Sequence, residues 1–214
     1  MRIANLYSHL NGYEYLLVHR KQQWDEIVNA INSIDANDYI KVSKAKPTEG
    51  RIFYDQKRIN KAFEAILFPQ DWQSLTIQYY VVGDIPTARI ISNIRDKEKQ
   101  KEIIEQDGFV PLRTNNQIDF VKDRIAIEVQ FGKYFSVAYD LHVKHTFFFL
   151  RNDIDVGIEI IPTRKMCLYM DSGVAWFENE LANVIREGRS NPTVPIVLIG
   201  IEPEEIKLDD ETII

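Results

Sequence analysis

The clearest pattern in the chain is an alternation of apolar and polar residues along IAIEVQF, residues 125–131. A period of two is typical of a β-strand, because successive side chains of a strand point to opposite faces of the sheet. One face of this strand is therefore apolar, and the other carries Glu128 and Gln130. A second short extended run precedes it at residues 118–121, and the polar residues 122–124 separate the two runs.

The two runs predict a β-hairpin in which Asp123 and Arg124 form a two-residue turn. In that register residue i pairs with residue 247 − i, so Asp119 faces Glu128. Directly paired residues have Cβ atoms about 5 Å apart. Two carboxylates at that distance repel each other unless a cation or a proton lies between them. Because Asp-Arg is not a strong hairpin dipeptide, other registers stay open.

Elsewhere, helices are predicted where apolar residues recur at helical spacing, and strands where they alternate or run together. The predicted helices cover residues 24–34, 59–67, 90–107 in two segments, 134–149 in its first part, and 174–185 after an N-cap at Asp171 or Ser172. The predicted strands cover residues 75–82, 155–161 and 194–201, with two further extended runs around a turn at Asn11-Gly12. The polar residues 38–51 show no period and form either a solvated loop or a loop that contacts phosphates.

The length of 214 residues suits one domain with room for a small subdomain. The formal net charge is −6, and six carboxylates and one lysine of residues 202–214 account for −5 of it. We therefore predict a nearly neutral domain of residues 1–201 followed by an acidic C-terminal tail of residues 202–214. A charge of this size neither excludes nor suggests a nucleic-acid partner.

Cys167 is the only cysteine, so an internal disulfide is excluded and a reducing compartment is expected. The first residues lack the apolar segment of a secretory signal, and the apolar run PIVLIGI is too short to cross a bilayer. We therefore expect a soluble cytoplasmic protein that does not associate with a membrane.

Several common catalytic and metal sites are excluded by their missing motifs. The chain has no GxxxxGK[ST] loop, GxSxG elbow, HExxH helix or CxxC pair. His142 and His145 lie three residues apart and could touch one ion, but a histidine pair at the edge of the core explains them without a metal.

The remaining candidate chemistry lies in Asp119 and in Glu128-Val129-Gln130. Two carboxylates and the main-chain carbonyl of Val129 are hard oxygen ligands of the kind that Mg²⁺ prefers. An acidic residue, a spacer and E-x-K on a strand are typical of many metal-dependent nucleases, and Gln130 stands here in place of the lysine. The spacing alone leaves a purely structural interpretation open, since acidic residues at strand ends are common.

The segment IDFVKDRIAIEVQFGKY resembles the active-site segment of the BglII/BstYI family of type II restriction endonucleases, whose sites are of the PD-(D/E)xK type. Separated segments extend the resemblance over most of residues 1–202: YSHLNGYEYL, SVAYDLHVKH, IDVGIEI, NVIREGR and VLIGIEP. The resemblance implies an α/β fold with a restriction-endonuclease-like core, in which helices flank a mixed central β-sheet. It also implies a homodimer that cleaves double-stranded DNA with Mg²⁺.

By this resemblance Asp119, Glu128 and the carbonyl of Val129 are metal ligands, and Gln130 belongs to the catalytic group. Lys133 and Ser172 match positions that face DNA bases, and Arg186 and Arg189 are candidates for phosphate contacts. The expected recognition site is RGATCY, cut after the first purine to leave a 5′ overhang. The alternative is a GATC-binding protein with the same fold that has lost its chemistry, for which the neutral Gln130 would be the sign.

Overall fold

The computed structural model describes residues 1–208, which divide into two units. The larger unit comprises Met1–Gln73 and the chain from Asp119 onward, and the smaller unit comprises Ser74–Ile118. The predicted acidic tail is described only as far as Leu208, and its last six residues lie outside the described part. Glu202, the first residue of that tail, ends a buried strand and accepts a hydrogen bond from Thr163 (3.0 Å). The division into a domain and a tail stays a prediction.

Strands and helices alternate irregularly along the chain. The strands are β1 (Arg2–His9), β2 (Ile40–Val42), β3 (Ile52–Tyr54), β4 (Gln73–Val81), β5 (Leu112–Lys122), β6 (Ile125–Val129), β7 (Val156–Pro162) and β8 (Ile196–Glu202). The α-helices are α1 (Gly12–His19), α2 (Lys21–Ser33), α3 (Gln56–Leu67), α4 (Ile85–Ile91), α5 (Lys97–Gln106), α6 (Tyr134–Tyr139), α7 (His145–Leu150), α8 (Arg164–Cys167) and α9 (Phe177–Glu187). A π-helical turn, Asp140–Lys144, joins α6 to α7.

The sheet of the larger unit has the strand order β1-β8-β7-β6-β5. Strands β6, β7 and β8 are parallel to one another, whereas β5 pairs antiparallel with β6 and β1 pairs antiparallel with β8. This is the mixed central sheet that the resemblance predicts. Every residue of β6, β7 and β8 is buried, as expected for strands with helices on both faces.

Alternation along the strands separates two apolar layers on opposite faces of the sheet. Ile127, Ile158 and Ile199 belong to the layer that also contains buried side chains of α2 and α3. Ile161 and Leu198 belong to the opposite layer, with side chains of α6 and α9. Because Glu128 and Glu159 are one residue out of phase with Ile127 and Ile158, their side chains lie on the second face.

Most of the predicted elements are confirmed with shifts of a few residues, including helices α2 and α3, strands β4, β7 and β8, and the helix ends at Gly108 and Gly188. The prediction for Asn11-Gly12 is wrong, because α1 rather than a second strand follows the turn. Gly12 starts this helix against β8, where an added Cβ would lie 2.8 Å from the carbonyl oxygen of Ile196. The approach of helix to strand is a tertiary contact that local alternation does not reveal.

Residues 38–51 are more regular than a loop, because β2 pairs with β3 to form a small antiparallel hairpin. Lys41 in this hairpin forms an ion pair with Asp171 (2.6 Å). The smaller unit consists of β4 beside the first part of β5, together with α4 and α5. Across residues 1–208, no helix has the length and apolar character needed to cross a bilayer.

Candidate active site

The predicted hairpin register is confirmed. Strand β5 pairs with β6 through Phe120↔Ile127, Val121↔Ala126 and Lys122↔Ile125, and each pair sums to 247. The turn residues Asp123 and Arg124 have φ values of 47° and 68°, the left-handed pair that a type I′ hairpin turn requires. The next positions along the two strands are Asp119 and Glu128.

At Asp119 the side chain contacts the main chain of β6. Its Oδ2 accepts a hydrogen bond from the main-chain N–H of Val129 (3.3 Å). The carboxylate of Asp119 therefore lies beside the end of β6. The charge of Asp119 also contributes to a raised pKa of Glu128, which requires the two carboxyl groups to be near each other.

Glu128 is almost completely buried, with 1% of its surface exposed. Its Oε1 lies 2.7 Å from the ammonium nitrogen of Lys144. Burial raises the pKa of Glu128 well above its usual value, and the negative charges of Asp119 and Asp140 raise it further. Lys144 opposes this shift without cancelling it. A divalent cation would favour the ionised form for the same reason that Lys144 does.

Gln130 is held at both ends of its amide group. Its Nε2 donates to Oδ2 of Asp140 (2.9 Å), and its Oε1 accepts from the main-chain N–H of Gly132 (2.8 Å). A side chain at position 132 would collide with this amide, since an added Cβ would lie 2.4 Å from Gln130 Oε1. Gln130 thus connects the end of β6 to the π-helical turn.

Asp140 and Lys144 also belong to the site, although the local sequence pattern does not predict them there. Both lie on the π-helical turn, and Lys144 forms ion pairs with Asp140 Oδ1 and Glu128 Oε1, each at 2.7 Å. Burial raises the pKa of Asp140, whereas the adjacent carboxylates raise that of Lys144 above its usual value. An acid and a base four residues apart in an otherwise apolar, aromatic-rich helical segment are the signal that could have found them.

Glu159 and His145 form a second pair behind Glu128. Glu159 is opposite Glu128 in the parallel register of β6 and β7, and its Oε2 lies 3.3 Å from His145 Nε2. Burial raises the pKa of Glu159 well above its usual value and, together with Lys144, lowers that of His145 to about 3. Both shifts disfavour the charged forms of this buried pair. His142 is not part of this pair and instead lies 3.2 Å from Glu187.

Asp119, Glu128, Asp140 and Glu159, termed here the acidic cluster, influence one another electrostatically, with Lys144 as the cation among them. The two carboxylates of Asp119 and Glu128, with the carbonyl of Val129, provide the hard oxygen donors that Mg²⁺ takes. Within residues 1–208, no group of three or more His, Cys, Asp or Glu side chains is arranged to hold a metal. The predicted set contains two such side chains and one main-chain oxygen, and these donors fit a partly hydrated Mg²⁺.

The structure brings Lys133 and Ser172 onto adjoining exposed segments. An isolated β-bridge joins Lys133 to Val174, and the N–H of Tyr134 donates to the carbonyl of Gly173 (3.0 Å). Neither Asp171 nor Ser172 caps a helix as predicted, because α9 begins only at Phe177, with Trp176 at its N-cap. The segment from Ser172 to Phe177 is instead joined through Val174 to Lys133, which precedes α6.

Arg186 and Arg189 lie apart from these segments. Arg186 is in the last turn of α9 and Arg189 follows its C-terminal Gly188, and both are exposed. The helix separates Phe177 from Arg186 by about 14 Å at 1.5 Å per residue. Within residues 1–208, no hydrogen bond or ion pair links either arginine to the acidic cluster, so their role stays a prediction.

Comparison with known proteins gives one family and a shared fold. A family model described as restriction endonuclease BglII/BglIII matches residues 4–201. Restriction endonuclease BglII complexed with a DNA 16-mer matches with a TM-score of 0.66 and 17% identity, covering 97% of this chain and 78% of that chain. Free BglII matches with a TM-score of 0.58 and 16% identity, covering 97% and 82%. No curated protein sequence matches the chain. The predicted restriction-endonuclease-like fold is confirmed.

Proposed function

Because the chain belongs to the BglII/BglIII family of restriction endonucleases, we propose that it hydrolyses double-stranded DNA in a Mg²⁺-dependent reaction at the palindromic site RGATCY. Family membership already makes it a type II site-specific nuclease. The proposal adds the metal, the recognition site, cleavage after the first purine and a 5′ overhang. It also retains the cytoplasmic location expected from the sequence.

The observation that carries the proposal is the excess of acid at the end of β6. Asp119 and Glu128 approach each other beyond the last hairpin pair, and burial leaves Glu128 with a raised pKa. When bound, Mg²⁺ would stabilise negative charge on the phosphate and lower the pKa of a bound water. The residues that would hold it are Asp119, Glu128 and, through its carbonyl oxygen, Val129.

Hydrolysis adds the oxygen of one water to phosphorus and breaks the bond from phosphorus to the 3′ oxygen. The water proton ends on the leaving 3′ oxygen, and the products carry a 3′ hydroxyl and a 5′ phosphate. Gln130 is neutral, so it neither neutralises the charge that develops on the phosphate nor acts as a base at pH 7. Its hydrogen bonds to Asp140 and Gly132 give it a positioning role at the end of β6.

Recognition of the DNA is assigned to the exposed segments beside the site. Lys133 and Ser172 reach the same surface through the bridge between Lys133 and Val174. A lysine can donate to acceptors of either purine, and a serine can donate or accept, which suits tolerance of A or G before GATC. This tolerance is that of BstYI, which the sequence segments resemble. Arg186 and Arg189 would contact phosphates.

A homodimer is also part of the proposal, since a palindromic site is read by a two-fold symmetric protein. Apolar side chains are exposed along the segment from α6 to α7, with 62% of Tyr134, 60% of Phe135 and 74% of Leu150 accessible. Exposed apolar surface of this kind is typical of an interface. Sedimentation equilibrium is expected to give a dimer, and a monomer at concentrations that support cleavage would contradict this part.

The alternative function is a GATC-specific DNA-binding protein without catalysis. Two observations favour it: Gln130 carries no charge, and Lys144 already forms an ion pair with Glu128. Both functions predict binding to the same DNA, so only the chemistry separates them.

Incubation of the purified protein with unmethylated plasmid of known sequence, in Mg²⁺ and then in EDTA, tests both functions. Fragments that end at RGATCY sites only in Mg²⁺ are expected. A gel shift on GATC-containing DNA without cleavage would favour the alternative, and cleavage at unrelated sites would exclude the proposed specificity.

A further inference from the structure

Lys144 provides a positive charge within the acidic cluster. Its ammonium nitrogen lies 2.7 Å from both Glu128 Oε1 and Asp140 Oδ1. Its partner Asp140 accepts a hydrogen bond from Gln130 (2.9 Å), the residue that replaces the lysine of the common nuclease pattern. One continuous set of contacts therefore joins the neutral residue on the strand to a cation on the helix.

The hydrogen-bonding capacity of Lys144 is not exhausted by these contacts. An ammonium group has three N–H donors, and the contacts of Lys144 with Glu128 and Asp140 use two of them. The side chain is also 15% exposed, so Lys144 is not completely enclosed by the cluster. A phosphate oxygen is the kind of acceptor that such a donor binds in a charge-assisted hydrogen bond.

Lys122 on β5 shows what a structural lysine of equal burial looks like in this chain. Its side chain is also 15% exposed and forms an ion pair with Glu26. Its ammonium contacts both carboxylate oxygens of Glu26, at 2.9 and 2.7 Å, and the carbonyl oxygen of Gln70 at 2.8 Å. These contacts use all three donors of Lys122, whereas within residues 1–208 Lys144 has two partner atoms.

We propose that Lys144 is a catalytic residue that binds the scissile phosphate and supplies, from the π-helical turn, the positive charge that Gln130 cannot supply from the strand. The inference rests on the proposed nuclease function. Asp140 fixes the ammonium, and Gln130 fixes Asp140, so both act as positioning residues for Lys144.

The test compares four proteins: wild type, Lys144→Gln, the exchange variant Gln130→Lys with Lys144→Gln, and the control Lys122→Gln. Cleavage of a DNA duplex with one site is measured in Mg²⁺. Ca²⁺ binding by calorimetry and DNA binding in Ca²⁺ provide readouts that do not depend on turnover. Thermal unfolding shows whether each variant is folded.

Lys144→Gln is expected to lower the cleavage rate by at least about 100-fold, as the loss of one donor to a developing oxyanion does. Its affinity for Ca²⁺ should not fall, because Glu128 loses a competing cation. Its DNA binding should remain measurable, because the base-facing segments are untouched and only one phosphate contact is lost. The exchange variant should recover at least about tenfold of the lost rate, since it returns a lysine to the same cluster. Lys122→Gln should lose stability and cleave at the wild-type rate.

Near-normal cleavage by Lys144→Gln would overturn the inference. So would loss of Ca²⁺ binding together with cleavage, because Lys144 would then act only by holding the carboxylates together. If Lys144→Gln does not fold, the exchange variant decides: cleavage supports the inference, and a folded, inactive exchange variant overturns it. Failure of the wild type itself to cleave would instead refute the proposed function, which separates the two failures.

Discussion

The two ends of the β5–β6 hairpin differ in their balance of positive and negative charge. At the turn, Arg124 donates to Asp155 Oδ1 (2.7 Å), and Tyr15 donates to the other carboxylate oxygen (2.9 Å). Arg20 lies 4.0 Å from the same carboxylate and also donates to the carbonyl of Asp123 (3.2 Å). The hydrogen bond from Arg124 is the main cause of a pKa of Asp155 below its usual value.

At the open end, where Asp119 and Glu128 follow the last hairpin pair, acid outnumbers base. The acidic cluster has Lys144 as its cation, and burial together with neighbouring carboxylates raises the pKa of Glu128 and Glu159. Raised pKa values mean that the ionised cluster costs free energy in the folded state.

The turn of this hairpin therefore contributes to the stability of the fold, whereas its open end carries the candidate functional groups. Matched charges at the turn stabilise the fold, as ordinary ion pairs at a surface do. Unmatched acids at the open end persist at a cost to stability, which is typical of sites that bind a cation or substrate. The same substitution, carboxylate to amide, should therefore have opposite effects at the two ends.

The largest expected effect is on catalysis at the open end. Asp119→Asn and Glu128→Gln are each expected to lower Mg²⁺-dependent cleavage roughly to background. This loss exceeds the roughly 10- to 100-fold that is typical when a residue contacting a metal ligand, rather than the ligand itself, is changed. DNA binding should remain measurable, because neither residue faces a base in the proposal. Neither variant should unfold at a lower temperature than wild type, since each removes a carboxylate from a crowded cluster. Cleavage assays, gel shifts and thermal unfolding measure the three quantities.

Asp155→Asn is the matched control for these two variants, because it makes the same chemical change at the turn. It should cleave DNA at the wild-type rate. If either open-end variant cleaved normally, or if Asp155→Asn lost cleavage while folded, the contrast between the two ends would be wrong.

A smaller effect on catalysis is expected for Gln130→Ala. The substitution removes the hydrogen bond from Gln130 to the buried Oδ2 of Asp140. Cleavage should therefore fall by about 10- to 100-fold. The exposed Gln117, two residues before Asp119 on β5, provides a control: Gln117→Ala should cleave normally. A steady-state assay with both variants measures the difference, and equal rates would remove Gln130 from the site.

The smallest expected effect is on stability at the turn. The folded pKa of Asp155 is depressed, so its carboxylate contributes stability above the unfolded pKa of about 3.9 and loses it as the pH falls through the folded value. Asp155→Asn should lower the free energy of unfolding at pH 7 by about 1–2 kcal/mol. Urea unfolding at pH 7 and pH 3 should show the difference shrinking at the lower pH.

The exposed pair of Lys21 and Asp25 on α2 calibrates that measurement. Asp25→Asn should change the free energy of unfolding by only about 0.3–0.5 kcal/mol, as helix surface pairs do. A pH-independent loss in Asp155→Asn, or a loss no larger than that of Asp25→Asn, would show that the turn is not stabilised by its charges.

The local sequence pattern determined much of the secondary structure around the site. Alternation along residues 125–131 and the two residues of the turn were enough to predict the hairpin and its register. That register places Asp119 beside Glu128. Where local signals misled, as at Gly12 and Ser172, the deciding contact came from a distant strand or bridge.

Only the tertiary structure decided what surrounds those two carboxylates. Lys144, Asp140 and Glu159 join Glu128 because β7 lies parallel to β6 and because the π-helical turn crosses the same face of the sheet. Side-chain periodicity fixes the face of a strand on which a residue lies, since it depends on neighbouring backbone angles alone. Which elements cover that face depends on how the whole core packs, and the charge balance of the site depends on those elements.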